Sequence, residues 1–253
     1  MIGLLKIEST EARNGERPRL IRCGEPPLGG RTGRGISIAV IDSGYHPGHP
    51  HIEQIAGGVE FNTAGEPSND LVDRLGHGTA VTAAIQEKAP EADIHVVRVF
   101  HDMLAISSRT LATAIDWASE SGCRIANLSL GTPHEFRVED LAPAVERAVE
   151  RGTIIVSAYE LEKELWFPGS LSGALGVILD WDCPRDAIRI KTRSGRSIVA
   201  ASGYPRPIPG VPPEHNLKGI SFAVANTSGV LALALEDRPD VRTSDASIEA
   251  LSP

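Results

Sequence analysis

The chain has 253 residues, of which 41% are hydrophobic, and a formal net charge of −8. That length is enough for one large domain with its own core. The acidic balance excludes the basic footprint that nucleic acid requires, and no apolar run reaches the length of a membrane span.

Residues 1–29 are rich in Gly, Pro, Arg and Glu and read as an arm over the surface. The apolar run Ile36–Ile41 predicts a strand buried on both faces. Val81, Ala84 and Ile85 then share one helical face, closed by Pro90. Ile94–Val99 predicts the next strand. Ser107 and Ser108 offer caps to a helix carrying Leu111, Ile115 and Ala118, which ends at Gly122. Ile125–Leu130 predicts a strand. Leu141, Val145, Ala148 and Val149 form another amphipathic face, stopped at Gly152. Thr153–Ser157 and Gly176–Leu179 predict two further strands. Residues 187–200 read as a hairpin about Arg193, Ser194 and Gly195, and the Pro-rich stretch 205–213 as a loop. Ser221–Leu235 is a long apolar helix, central and buried all round. From Arg238 onward the sequence turns polar and reads as a frayed tail. Strands alternating with helices of this size predict a single doubly wound α/β domain over 30–237, with a mostly parallel sheet and helices on both faces.

Within this layout three short blocks carry reactive side chains: Ile-Ala-Val-Ile-Asp-Ser-Gly at 38–44, Gly-His-Gly-Thr at 76–79 and Gly-Ile-Ser-Phe-Ala at 219–223. Alone, each has an ordinary explanation, namely a turn after a strand, a helix entry and an N-cap serine. Together they supply a carboxylate, an imidazole and a hydroxyl. A serine oxygen is a weak nucleophile at neutral pH and needs a base. An imidazole can take its proton and return it to a leaving amine. A buried carboxylate holds the correct tautomer and stabilises the imidazolium. His77 is the expected base, Asp42 the orienting group and Ser221 the nucleophile.

The order Asp, His, Ser and the text around each block resemble the subtilisin-like serine protease family, the subtilases, from about Gly30 to Asp237. Residues 73–81 are similar to the family's histidine block, 126–131 to its substrate-binding strand and 167–170 to its turn before a core strand. The resemblance implies a serine endopeptidase acting through an acyl-enzyme on a peptide or protein substrate, which lies extended along Ser129, Leu130 and Gly131. If an amine intercepts the acyl-enzyme, the outcome is transpeptidation or macrocyclisation. A protease fold that only binds peptides is the other alternative. Oligomeric state is not encoded in any motif.

Three departures weaken the match. Where subtilases place an oxyanion-hole Asn, the best-matching position here is Glu160, with Tyr159 or Leu161 offered by a shift of one residue. Loss of that Asn donor removes about 3–4 kcal/mol of transition-state stabilisation, a figure measured in subtilisin itself. A protonated Glu160 could donate. The Tyr159 hydroxyl or the amides of Asn216 or Asn226 could replace it. Ile220 stands where the family has Thr, and Ala225 where it has Pro.

No metal or cofactor is expected. His46, His49 and His51 are interrupted by Pro47 and Pro50 and read as a surface turn rather than a metal site. Asp70 and Asp73 read as acidic turn residues, since no dense oxygen-ligand loop for calcium surrounds them. Trp117 reads as packing. Glu160, Glu162, Lys163 and Glu164 read as a solvated loop, or as a lip that favours basic substrates. Cys23, Cys123 and Cys183 fit neither a zinc site nor a disulfide framework, and a single disulfide stays open. The first residues lack a basic n-region and a full h-region, so a cytoplasmic location is expected.

Overall fold

The computed structural model describes residues 19–251. The reading of residues 1–18 as an arm lies outside it. Strands β1 (Arg19–Arg22), β2 (Ser37–Asp42), β3 (Gly57–Phe61) and β4 (Pro67–Ser68) are followed by helix α1 (His77–Gln86) and β5 (Asp93–Arg98). Then come α2 (Ser108–Glu120), β6 (Ile125–Leu128), α3 (Val138–Glu150) and β7 (Ile154–Ala158). The chain continues through β8 (Glu160–Leu161), β9 (Glu164–Leu165), β10 (Leu175–Leu179), β11 (Ala187–Arg193) and β12 (Arg196–Ala201) to α4 (Ile220–Leu235) and α5 (Ser244–Ala250).

Ten strands form one sheet in the order β1-β11-β12-β10-β7-β6-β2-β5-β3-β4. From β12 to β3 every neighbouring pair is parallel; β1, β11 and β4 add antiparallel edges. The two-residue period of a strand divides the core into two layers. Ile38 and Val40 of β2 pack with α1, α4 and α5, whereas Ala39 and Ile41 pack with α2 and α3. This is the doubly wound architecture expected, with α4 buried along nearly its whole length.

Two buried or half-buried arginines hold the turn after α4. Arg31 Nη1 donates to the carbonyls of Leu233, Ala234 and Glu236. Arg124 Nη2 donates to those of Arg238 and Val241. These carbonyls lie at or beyond a helix end, where the regular backbone ladder stops.

Four features differ from the sequence reading. Part of the supposed arm is structural: β1 pairs with β11, and Ile21 and Leu28 enter the core. β3 was unforeseen, because Gly57 and Gly58 open it. Gly58 is required there, since a Cβ would lie 2.1 Å from the Val96 carbonyl oxygen. The supposed tail instead carries α5, capped by Thr243, with Val241, Ile248 and Leu251 buried. β6 stops at Leu128, so 129–131 leaves the sheet. All three cysteines are free thiols, and burial pushes Cys123 up to about 12. Among the described residues no helix is long and apolar enough to cross a membrane.

Candidate active site

Asp42 ends β2, fully buried, at the carboxyl edge of the parallel sheet. Its side chain accepts from the Ser43 N–H at 2.8 Å. It also meets His77 Nδ1 at 2.8 Å through Oδ1 and 3.0 Å through Oδ2. The carboxylate thus sets the Nδ1–H tautomer and leaves Nε2 free to act as a base.

His77 is the first residue of α1, and a separate network fixes that helix start. Asp73, itself buried, accepts from the N–H groups of Leu75, Gly76 and Thr79 and from the hydroxyls of Ser43 and Thr79. The Ser43 hydroxyl in turn accepts from the Gly78 N–H at 2.8 Å. The Gly76, Gly78 and Thr79 N–H groups are thereby satisfied, and a carboxylate sits at the positive end of the helix. Burial by itself raises the Asp73 pKa; the hydrogen bonds led by Thr79 reverse this and hold it below the ordinary value. Asp73 is a positioning residue for His77.

Gly78 is what allows the close approach. A Cβ there would lie 2.3 Å from the Gly44 carbonyl oxygen and 3.1 Å from Ser43 N, both backbone atoms that cannot turn aside. Gly78→Ala is therefore expected to push α1 off the end of β2. We expect about 1–3 kcal/mol lost in denaturant unfolding and about 10²-fold in kcat/KM, the penalty for a misplacement near 1 Å.

For His77, burial pulls the pKa down, but the charge and hydrogen bond of Asp42, with Asp73 behind, outweigh it; the net direction is up from 6.5.

Ser221 occupies the first turn of α4. Its hydroxyl donates to the Ser129 carbonyl at 3.1 Å, and its own carbonyl accepts from the Ser129 hydroxyl at 2.8 Å. The Ser129 hydroxyl also accepts from Asn127, whose carbonyl oxygen accepts from Ser228. This buried chain ties the start of α4 to β6. The Ser221 hydroxyl thus rests on Ser129 and makes no hydrogen bond to His77. The Ser221 backbone N–H has no protein acceptor, as expected in a first turn.

Ser221 and His77 line one cavity of about 470 Å³, which Ser129, Leu130 and Gly131 also line. Its floor is apolar, formed by Phe100, Ile106, Leu111, Leu141 and Trp166. Gly131 leaves both backbone groups without a protein partner. A Cβ there would meet the Phe167 carbonyl oxygen at 2.8 Å.

The oxyanion assignment is corrected. Glu160 lies in the small β8/β9 hairpin with its carboxylate 3.7 Å from the Arg193 guanidinium, and it is absent from this cavity. The physical reason is that β7 ends at Ala158 and the chain turns into the hairpin one residue later. The alternatives fare no better. Tyr159 is buried with its ring against Arg196. Asn226 donates to the Ser202 and Tyr204 carbonyls, and Asn216 lines a different cavity.

Asp70 is engaged by Arg74 and Arg98, and the Asp73 oxygens are committed as above. Among the described residues no group of three or more His, Cys, Asp or Glu could hold a metal ion. The three-histidine segment is more than a surface turn. His46, His49 and His51 line a second cavity of about 420 Å³ together with Arg206 and His215. Sequence gave no signal for that meeting, because His215 is brought to the segment only by the tertiary fold.

Known proteases are similar to this chain in sequence and in fold. The M-protease of Shouchella clausii is 31% identical over 226 residues, which cover 83% of this chain and 56% of that protein. Subtilisin Savinase of Lederbergia lenta is also 31% identical, over 83% of this chain and 80% of that protein. The chain thus spans little more than half the length of some of its relatives. Among solved structures, a protease from Pseudoalteromonas arctica PAMC 21717 superimposes with a TM-score of 0.65 at 20% identity, covering 86% of this chain and 82% of that one. A profile of the subtilase family matches residues 33–252, and the chain belongs to that family.

Proposed function

We propose that the chain is a serine endopeptidase in which Ser221 is the nucleophile, His77 the general base and Asp42 its orienting carboxylate. The observation that carries this reading is the Asp42–His77 pair at 2.8 Å, buried at the end of β2 and opening onto the same cavity as Ser221. In this reading a rotation about χ1 swings the Ser221 hydroxyl from the Ser129 carbonyl to His77 Nε2. His77 takes the proton as Oγ attacks the scissile carbonyl, then delivers it to the leaving amine. Water hydrolyses the resulting ester by the same route.

An extended peptide lies along Ser129–Gly131 as an added strand, and the free backbone groups of Gly131 support that. The apolar floor favours aliphatic or aromatic residues on the acyl side. The oxyanion is met by the Ser221 N–H and the α4 dipole. Among the described residues no side-chain amide lines this cavity, and this supports a slower enzyme.

The resting hydroxyl and the missing amide favour a second reading, a peptide-binding protein that does not turn over. Labelling decides between them. A fluorophosphonate is expected to modify Ser221, located by peptide mass spectrometry, faster as pH rises through the raised pKa of His77. Absence of labelling between pH 5 and pH 9 would sink the peptidase reading.

A further inference from the structure

The second cavity shares walls with the first. α1 contributes His77 to one and Gly76, Thr79 and Ala80 to the other. The segment before α4 contributes Ile220 and Ser221 to one and His215, Asn216 and Leu217 to the other. A peptide whose acyl side lies along Ser129–Gly131 must send its amine side past His77, which protonates the leaving nitrogen. That path leads into the second cavity.

The side chains there are nitrogen-rich. Four imidazoles and the Arg206 guanidinium face it. The carboxylate in the wall is Asp73, whose oxygens already accept from Ser43, Leu75, Gly76 and Thr79. The Arg206 side chain makes a single hydrogen bond, Nη1 to the His51 carbonyl at 3.3 Å, and no ion pair. Unlike Arg31 and Arg124, which are held by several carbonyls, the half-buried Arg206 guanidinium has one weak protein acceptor among the described residues. His49 accepts the His51 N–H on Nδ1 at 3.2 Å, so a proton on this ring sits at Nε2 and can be donated. Burial first, then Arg206 and His49, lower the pKa of His51; Glu87 opposes them. Glu214, beside His215, is exposed. The four imidazoles do not form a metal site.

We propose that this cavity is a subsite for a carboxylate side chain, Glu or Asp, on the leaving-group side of the cleaved bond. The proposal rests on the peptidase reading for the direction of the peptide. Arg206 supplies a permanent charge, and the imidazole N–H groups supply further donors.

The test measures binding, so that it does not depend on turnover. The full chain carrying Ser221→Ala is titrated into two fluorescent, C-terminally amidated peptides. Each has a Leu-Ala-Leu-Ala half followed by Glu-Glu or by Gln-Gln; amidation removes the terminal carboxylate as a rival anion. At pH 7 the Glu peptide is expected to bind about threefold tighter, the scale of partly exposed charge pairs. Arg206→Gln should bring the ratio toward one, whereas Arg206→Lys should keep part of it.

Equal binding of the two peptides, failure of both to bind, or a ratio unmoved by Arg206→Gln would overturn the subsite. Fluorophosphonate labelling of the wild-type chain is read separately. Labelling without acid selectivity removes the subsite alone, and acid selectivity without labelling removes the peptidase reading alone.

Discussion

Replacing Ser221 by alanine is expected to lower peptide turnover about 10⁶-fold, leaving only the slow reaction that binding sustains. The size follows from subtilisin, in which losing the nucleophile costs about as much as losing all three catalytic groups. No neighbour can substitute. The nearest other hydroxyl, that of Ser129, is committed to the Ser221 carbonyl and held by Asn127. Folding should be little affected, because the hydroxyl's hydrogen bond is a 3.1 Å contact with Ser129 O. Such a bond contributes about 1 kcal/mol net. The check is kcat/KM for wild type and variant purified in parallel, with denaturant unfolding as the control. A variant that keeps more than about a thousandth of wild-type turnover with an intact fold would show that the nucleophile lies elsewhere.

Asp42→Asn is expected to lower kcat about 10⁴-fold, the cost of the wrong imidazole tautomer in a serine hydrolase. The amide can donate to Nδ1, which moves the ring proton to Nε2, where it blocks the serine. Asp42 is fully buried, so water cannot stand in for the lost charge. The pH profile should move too. In the wild type, activity needs neutral His77 and is lost as pH falls through a value raised above 6.5, chiefly because Asp42 outweighs burial. Without the carboxylate, burial prevails and the acidic limb moves to lower pH. Stability carries the opposite sign. A raised folded pKa contributes stability fully below 6.5 and loses it as pH rises through the folded value. The unfolding free-energy gap between wild type and variant should therefore be wider at pH 5.5 than at pH 8.5. A gap that widens toward alkaline pH would contradict the assignment of the shift to Asp42.

What could be read before folding was what depends on local periodicity. Ile38–Ile41 in β2 and Ile154–Val156 in β7 show as apolar runs because both faces are covered, β5 shows through Ile94, Val96 and Val97 despite His95 and Arg98, and α2 and α3 show as helical faces ended by glycines at Gly122 and Gly152. The positions of Asp42, His77 and Ser221 followed from strand ends and helix starts. What stayed hidden depends on distant partners. β1 is four residues long and arginine-flanked, and it exists because β11 offers an edge. β3 begins on two glycines that make sense only under the Val96 carbonyl. α5 is mostly polar, and its buried side chains face a core built elsewhere. Glu160 was placed by counting along a strand whose end the following hairpin sets. The histidines at 46–51 meet His215 and Arg206 across more than 150 positions of sequence.

The placement of α4 has a bearing on when the molecule could first cut anything. It lies against β6, β7, β10 and β12 and delivers Ser221 long after Asp42 and His77 in the sequence. A ribosome that extends the polypeptide from its amino terminus exposes Asp42 and His77 well before the hydroxyl they would serve. On the proteolytic reading, the nascent protein stays harmless to itself and its surroundings until α4 has been made. It becomes dangerous only once that helix inserts.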